Sequence, residues 1–351
     1  MRFIKYSLII AVYNRLDEVK ELLASAQEMT FDKTRYEIFF VDDGSTDGFK
    51  EYITSYNGNS ALNIACAYQK NQGPGAARNH GMQKAAGEYF IFVDSDCLFP
   101  PHWLSAVDDA LSTHGYDAFG GPDRFHPSFS PMIKAIDYSM TSFLGTGGTR
   151  GGKRSVGKFY PRSFNMGISR KVYDRIGGMA RTRLPGGEDM DYSARIYEAG
   201  FTVGLISEAF VYHKRRTNLW KFFKQIFNWG VARINLQRRH PTLLKPIHAL
   251  PALVVMSYVL AITLGLSIAS LRPLLWCTLI GHGGICALAF KQASIKYRRL
   301  DVGLLAIGTL NIQVFAYGMG FLYAVMQRMI GRKEAHGFVK HYYSKNNTTS
   351  R

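Results

Sequence analysis

Three short acidic clusters stand where carboxylates can do chemistry rather than pack. Val41-Asp42-Asp43-Gly44-Ser45-Thr46-Asp47 sets a carboxylate beside a glycine that permits a tight turn, with Asp47 placed to cap the next helix. A carboxylate there can accept the imide N–H of a uracil or an equivalent base edge; a capped turn is the alternative. Val93-Asp94-Ser95-Asp96 puts two carboxylates at i and i+2. They can hold a divalent cation against a diphosphate, and Mg²⁺ or Mn²⁺ matches such oxygen ligands. Gly186-Gly187-Glu188-Asp189-Met190-Asp191 presents acids behind a flexible glycine pair at the start of a helical pattern. Asp189 is a candidate base for a hydroxyl proton, against helix capping by first-turn acids. Glu188 is a candidate for orienting the acceptor or the base.

Further candidates are set apart from these clusters. His213, in Val211-Tyr212-His213-Lys214, follows a short strand and can reach a metal or diphosphate, or serve the structure alone. Asn165 either lines an acceptor pocket or satisfies backbone groups at a turn. Residues 145–165 are rich in glycine and carry Arg150, Lys153, Arg154, Lys158 and Arg162. This stretch reads as a mobile loop over a site, with a plain solvated linker as the alternative. Arg150, Lys153 and Arg154 are its candidates for meeting an acceptor phosphate.

The elements that must position these groups follow from periodicity. Ser7–Val12, Glu37–Val41, Asn63–Tyr68 and Tyr89–Val93 read as buried strands. Leu16–Met29, behind Asn14 as N-cap, and Gly75–Ala86 read as helices between them. Alternating βαβα with solidly apolar strands predicts a mostly parallel α/β sheet covered on both faces. Ligands bind such sheets at the carboxyl ends of the strands, where the first two acidic clusters lie.

SLIIAVYNR, VDDGSTD, NQGPGAARNHG, FVDSD and GGEDMD, in that order over about residues 4–215, resemble a family 2 glycosyltransferase. The resemblance implies the GT-A fold and inverting transfer of a sugar from a nucleotide diphosphate with a divalent cation. It places Tyr13 near the base, Asp43 on its edge and Arg78 by the donor. Asp94 then faces the ribose or sugar, Asp96 ligates the metal and Asp189 is the catalytic base. Ser95 and Ala11 complete the donor-binding set. The family often has Pro where Ala11 stands, at a strand end that does no chemistry. Processive synthases carry Q-x-x-R-W beyond the base; Gln225–Trp229 and Gln237–His240 do not match it, which disfavours polymer synthesis.

Charge divides the chain. Of 351 residues, 1–208 carry 23 basic and 24 acidic side chains, whereas 209–300 carry 14 basic and no acidic ones. A front domain at net −1 gives no footing for nucleic acid, despite the overall charge of +17. Residues 218–240 place Trp220, Phe223, Phe227 and Val231 near one helical face among lysines and arginines, which predicts a basic helix in the headgroup layer; a helix packed on the front domain is the alternative. Segments 247–270, 273–290 and 302–326 approach the roughly 20 residues that cross a bilayer. Lys291, Lys296, Arg298 and Arg299 follow the second, so the positive-inside rule puts that loop and residues 1–245 in the cytoplasm. The first two segments are expected to span. The third, with Gly308, Asn311, Gln313, Gly318 and Gly320, either spans or is re-entrant or bundle-buried. A basic tail, 329–351, closes the chain. Tyr6–Tyr13 is too short for a signal peptide, and Cys66, Cys97, Cys277 and Cys286 read as free thiols of a reducing compartment.

The expected whole is a GT-A catalytic domain (1–215), an interfacial region (216–245) and a membrane region (246–328) at the cytoplasmic membrane. Its donor would be a UDP-, GDP- or dTDP-sugar. Its acceptor would be a membrane lipid or lipid-linked saccharide of the cell envelope. A polyprenyl-phosphate glycosyl synthase is the alternative within enzymes, and a non-catalytic nucleotide-sugar sensor or scaffold the alternative outside them.

Overall fold

In the computed structural model, which describes residues 3–57, 61–147, 158–180, 187–214 and 218–338, the apolar runs become strands of one sheet. β1 (Tyr6–Val12), α1 (Leu16–Gln27), β2 (Tyr36–Asp42), α2 (Phe49–Asn57), β3 (Ile64–Tyr68), α3 (Pro74–Lys84) and β4 (Tyr89–Val93) alternate as the pattern predicts. β5 (Cys97–Leu98), α4 (Trp103–His114), β6 (Ala118–Gly120), β7 (Asp123–Arg124), α5 (Pro131–Thr141) and α6 (Phe143–Thr146) follow. Then come β8 (Asn165–Ser169), α7 (Arg170–Ile176), α8 (Glu188–Glu198), β9 (Val203–Leu205) and β10 (Val211–His213). The chain continues through α9 (Leu219–Arg239), α10 (Leu250–Ser267), α11 (Arg272–Tyr297) and α12 (Leu300–Met329).

The main sheet has seven strands in the order β3-β2-β1-β4-β8-β6-β9, parallel except where β8 runs antiparallel to β4 and β6. Its central strands are apolar on both sides because helices cover both faces. Leu8, Ile10 and Phe40 join Trp103 on one side; Ile9, Phe39 and Val41 join Phe92 and Tyr192 on the other. A second sheet, β5-β10-β7, sits beyond the carboxyl end of β4.

The start of α1 differs from expectation. Asn14 is not its cap: it adopts a left-handed φ of 51° and accepts from Thr46 N at 2.8 Å. The cap comes from across the turn. Asp47 accepts from Leu16 N at 2.8 Å with one oxygen and from Phe49 N at 3.3 Å with the other, so it serves the first turns of α1 and α2 together.

The C-terminal helices share a core with the front part of the chain. Ile136 and Met140 of α5 pack with Phe222 and Ile226 of α9 and Ala316 of α12. Ala135 and Tyr138 pack with Ala289 and Ala293 of α11 and Val302 and Ala306 of α12. The buried face of α9 is centred on Phe222, Ile226, Gly230 and Ile234, not on the predicted row. Of that row only Val231 is buried; Trp220, Phe223 and Phe227 stack ring on ring along the flank, with Trp220 55% exposed. Gly230 and Gly320 let α9 and α12 touch backbone to backbone. A Cβ on Gly230 would lie 2.2 Å from the Tyr317 carbonyl oxygen, and one on Gly320 2.1 Å from that of Phe227.

Among the described residues, three helical stretches are long and apolar enough to cross a membrane. They differ in how much the protein covers them: 17% of the most apolar stretch is buried in Pro246–Ser267, 6% in Ala269–Tyr297 and 44% in Leu300–Met329. The segment 302–326 is thus one unbroken helix with a covered face. Contacts trace its path: Gly303 meets Ser294, Phe315 meets His282 and Tyr258, and Gly318 meets Pro251. From there α12 continues along α9, where Phe321 and Ala324 join Val231. The basic loop predicted after 290 is also corrected. Lys291 and Lys296 lie within α11, and Arg298, left-handed at φ 54°, ends it.

Candidate active site

The candidates for the donor side stand at the carboxyl ends of β1, β2 and β4. Tyr13, just past β1, is 40% exposed, an open ring at the strand end. Ala11 lies within β1, opposite Val41. Asp43 is buried and fully engaged by its own chain: Gln69 Nε2 (2.7 Å) and Gln72 N (2.8 Å) donate to one oxygen, Gly73 N (2.8 Å) to the other. It ties the turn after β2 to the entry of α3. Burial pushes its carboxyl up from the usual range, against the lowering by those three donors.

Arg78 reaches from α3 to Asp94 at 2.7 Å, with its guanidinium buried. Ser95 is buried beside it. Asp96 meets His213 Nε2 at 3.2 Å, and the other ring nitrogen lies 3.7 Å from Asp123. The second sheet makes this possible, because β10 pairs antiparallel with β5 and parallel with β7. It brings the end of β4, the start of β7 and His213 to one point. Burial lowers the His213 pKa, but Asp96 and then Asp123 outweigh it and push the imidazole up to about 10.

Asp96, Cys97 and His213 offer ligand atoms within 4.8 Å of one another. Cys97 is fully buried and its thiol is pushed well up, first by burial and then by Asp96. A carboxylate suits a divalent cation, and so does the His213 imidazole once the cation displaces its proton, whereas a fully buried thiol in apolar surroundings does not. The donor set therefore fits the cation through Asp96 and His213.

The candidates for the acceptor side stand in the first turn of α8. Gly187 opens it at φ 97°, a conformation that costs other residues strain. Glu188 lies over the start of α3: a Cβ on Gly75 would stand 2.7 Å from its Oε2. Asp189 follows, one oxygen accepting from Met190 N at 2.8 Å and the other 3.7 Å from Arg162 Nη1. Asp191 faces away, buried against Arg195 (3.2 Å) and His240 (3.2 Å).

Asn165 is fully buried, and its Nδ2 donates to the Ala209 carbonyl at 2.7 Å. It fastens the start of β8 to the chain before β10 and lines no open surface. Arg150, Lys153 and Arg154 lie outside the described residues. Asp123 and Arg162 were not singled out for the site by the sequence. Arg162 stood among the basic residues of the glycine-rich stretch, and only the turn before β8 carries it to Asp189.

The chain matches the family model described as glycosyl transferase family 2 over residues 7–177, and that described as glycosyl transferase family group 2 over residues 159–290. Together these take in most of its length, and the chain belongs to the family 2 glycosyltransferases. It is 29% identical over 244 residues to the glycosyltransferase AglE of Haloferax volcanii, a match covering 66% of this chain and 76% of that one. It is 37% identical over 113 residues to the poly(ribitol-phosphate) beta-N-acetylglucosaminyltransferase TarS of Staphylococcus aureus. That second match spans 32% of this chain and 20% of TarS. The mannosyltransferase PcManGT from Pyrobaculum calidifontis, solved in complex with GDP-Man and Mn²⁺, shares the fold with a TM-score of 0.57 at 17% identity, over 92% of this chain and 88% of its own.

Proposed function

We propose that this glycosyltransferase moves a sugar, with inversion, from a nucleotide-diphosphate sugar to a hydroxyl of a membrane lipid or lipid-linked saccharide of the cell envelope. One observation carries the acceptor reading. Gly187, which opens the helix that carries Asp189, rests on the helix that packs along α12, since a Cβ there would lie 3.0 Å from Leu236 and 3.6 Å from Ala232 of α9. A base so close to an apolar helix bundle is reached from the membrane side.

Asp189 takes the proton as the acceptor oxygen attacks the anomeric carbon. The bond from that carbon to the diphosphate breaks in the same displacement, and the nucleoside diphosphate leaves with the electron pair. A single displacement inverts the centre. Asp96 and His213 would hold a divalent cation, Mg²⁺ or Mn²⁺, which neutralises charge on the departing diphosphate. Tyr13 offers a face for the base, with Asp43 and Ala11 framing that end of the pocket; Arg78, Asp94 and Ser95 flank the sugar and ribose. Glu188 sets the spacing between α3 and α8. PcManGT, solved with GDP-Man and Mn²⁺ on the same fold, supports the donor and cation reading.

The test is nucleoside diphosphate release by the full chain in detergent from a panel of UDP-, GDP- and dTDP-sugars, with Mn²⁺ or EDTA and with or without lipid extract. One donor class is expected to turn over, stimulated by lipid and abolished by EDTA. Binding of a donor with no release under any condition would instead favour a sensor or scaffold. Transfer to a polyprenyl phosphate is the competing enzymatic reading. That acceptor ionises unaided, so Asp189→Asn would then keep its rate.

A further inference from the structure

Beside Asp189 the chain gathers positive charge from two separate parts of the sequence. Arg162 comes from the turn before β8 and Arg233 from the middle of α9. Electrostatic interaction ties Arg162 to Asp189 and to Arg233. Two guanidinium groups therefore share one neighbourhood in which Asp189 is the carboxylate paired to Arg162, at 3.7 Å. Arg233 has no carboxylate partner among the described residues. Its Nη1 donates to the Leu243 carbonyl at 3.3 Å, and its Nε is buried with no hydrogen-bond partner among them.

A third group completes the corner. The Tyr317 hydroxyl, on α12, is buried against the Arg233 side chain, and its own proton has no acceptor among the described residues. It lies within electrostatic range of Arg162. It stands there because Gly230 and Gly320 bring α9 and α12 into backbone contact. Buried donors without acceptors destabilise a fold, so their retention at one point calls for an acceptor that arrives from outside the fold. Two guanidinium groups and a hydroxyl converging beside one carboxylate suit an oxyanion with several acceptor oxygens, which is the chemistry of a phosphate.

We propose that Arg162, Arg233 and Tyr317 seat the phosphate of the acceptor, a phosphate or diphosphate carried on a lipid chain. This rests on the glycosyl-transfer reading above and deepens it by naming the acceptor's charged group. Arg162 and Asp189 then divide the work. The guanidinium faces the phosphate, and the carboxylate faces the hydroxyl of the sugar attached to it. The lipid chain leaves past the seam of α9 and α12, toward the apolar surface of the C-terminal helices. Arg162 comes from the end of the basic glycine-rich stretch expected to do this, and Arg233 is added to it by α9.

The experiment uses the full chain in detergent and measures binding of farnesyl diphosphate, farnesol and inorganic pyrophosphate by calorimetry in EDTA, which removes the cation-dependent donor site from the readout. Farnesyl diphosphate is expected to bind, with farnesol and pyrophosphate each at least about tenfold weaker. Arg233→Gln is expected to weaken it by about tenfold to a hundredfold, the loss of one charge-assisted contact. Tyr317→Phe, which keeps the packing, should weaken it less but measurably. Nucleotide-sugar binding with Mn²⁺ reports folding of both variants and should be unchanged. Equal binding of farnesyl diphosphate by wild type and both variants overturns the site. Pyrophosphate binding as tight as the farnesyl compound overturns the lipid-linked acceptor. Loss of donor turnover with this binding pattern intact would count against the transferase reading and not against the phosphate seat.

Discussion

Individual residues here act by what they exclude as much as by what they touch. Gly75 opens the space that the Glu188 carboxylate occupies, 2.7 Å from where a Cβ would stand. Gly75→Ala should therefore turn the Glu188 carboxylate aside, lowering kcat for transfer by up to about tenfold, as expected of a misplaced orienting group at a reacting centre. Steady-state kinetics beside a melting curve checks this, and an unchanged kcat would mean Glu188 does not set the cleft. At this scale the sequence was informative where a side chain follows a strand end. The pairs Arg78–Asp94 and Asp96–His213 join residues already singled out. It was silent on Asp123 and Arg233, whose neighbours lie far along the chain and meet only through the second sheet and the α9–α12 contact. Asp43 shows the converse. Its place in a strand-end motif suggests a ligand contact, while its three donors show how much of it the fold already uses.

At the scale of elements, the four leading strands were legible because their apolar runs are continuous, and β4 begins and ends where the pattern puts it. The two-residue strands β5 and β7 were not, since two residues carry no period. The face of α9 was misjudged for a physical reason. Its aromatic row has the stronger hydrophobic signature, but the helix buries the side where Gly230 admits α12. Gly230→Val should therefore force α9 and α12 apart. We expect a loss of about 1–3 kcal/mol, the usual cost of overpacking a tight contact, read as a lower unfolding midpoint in detergent. An unchanged midpoint would show that this crossing does not hold the helices to the front of the chain.

For the molecule as a whole, the division into a soluble domain and a membrane tail, drawn from charge, leaves out that α5 packs with α11 and α12 in one cluster and with α9 and α12 in another. The candidate site and the apolar helices are packed together, and the proposed acceptor in a bilayer rests on that packing. Acid should weaken the front of this assembly through two carboxylates held below their ordinary value. Burial pushes Asp108 up, but donation from Lys5 and Tyr6 outweighs it. Burial likewise pushes Asp117 up, but Thr202 outweighs it through its backbone and hydroxyl. A depressed folded pKa adds stability above the unfolded value of about 3.9 and loses it as pH falls through the folded one. The unfolding temperature should thus be flat from pH 7 to about 5 and fall steeply below 4, with Asp117→Asn showing a shallower fall; an identical slope in that variant would remove Asp117 from the account.

The most direct test of the central claim is single-turnover transfer by Asp189→Asn from the donor that wild type uses, with donor affinity measured in parallel. We predict a rate lower by about 10²–10⁴, the share of a general base, with donor affinity unchanged. A rate equal to wild type at equal donor affinity would contradict the assignment of Asp189 as the base.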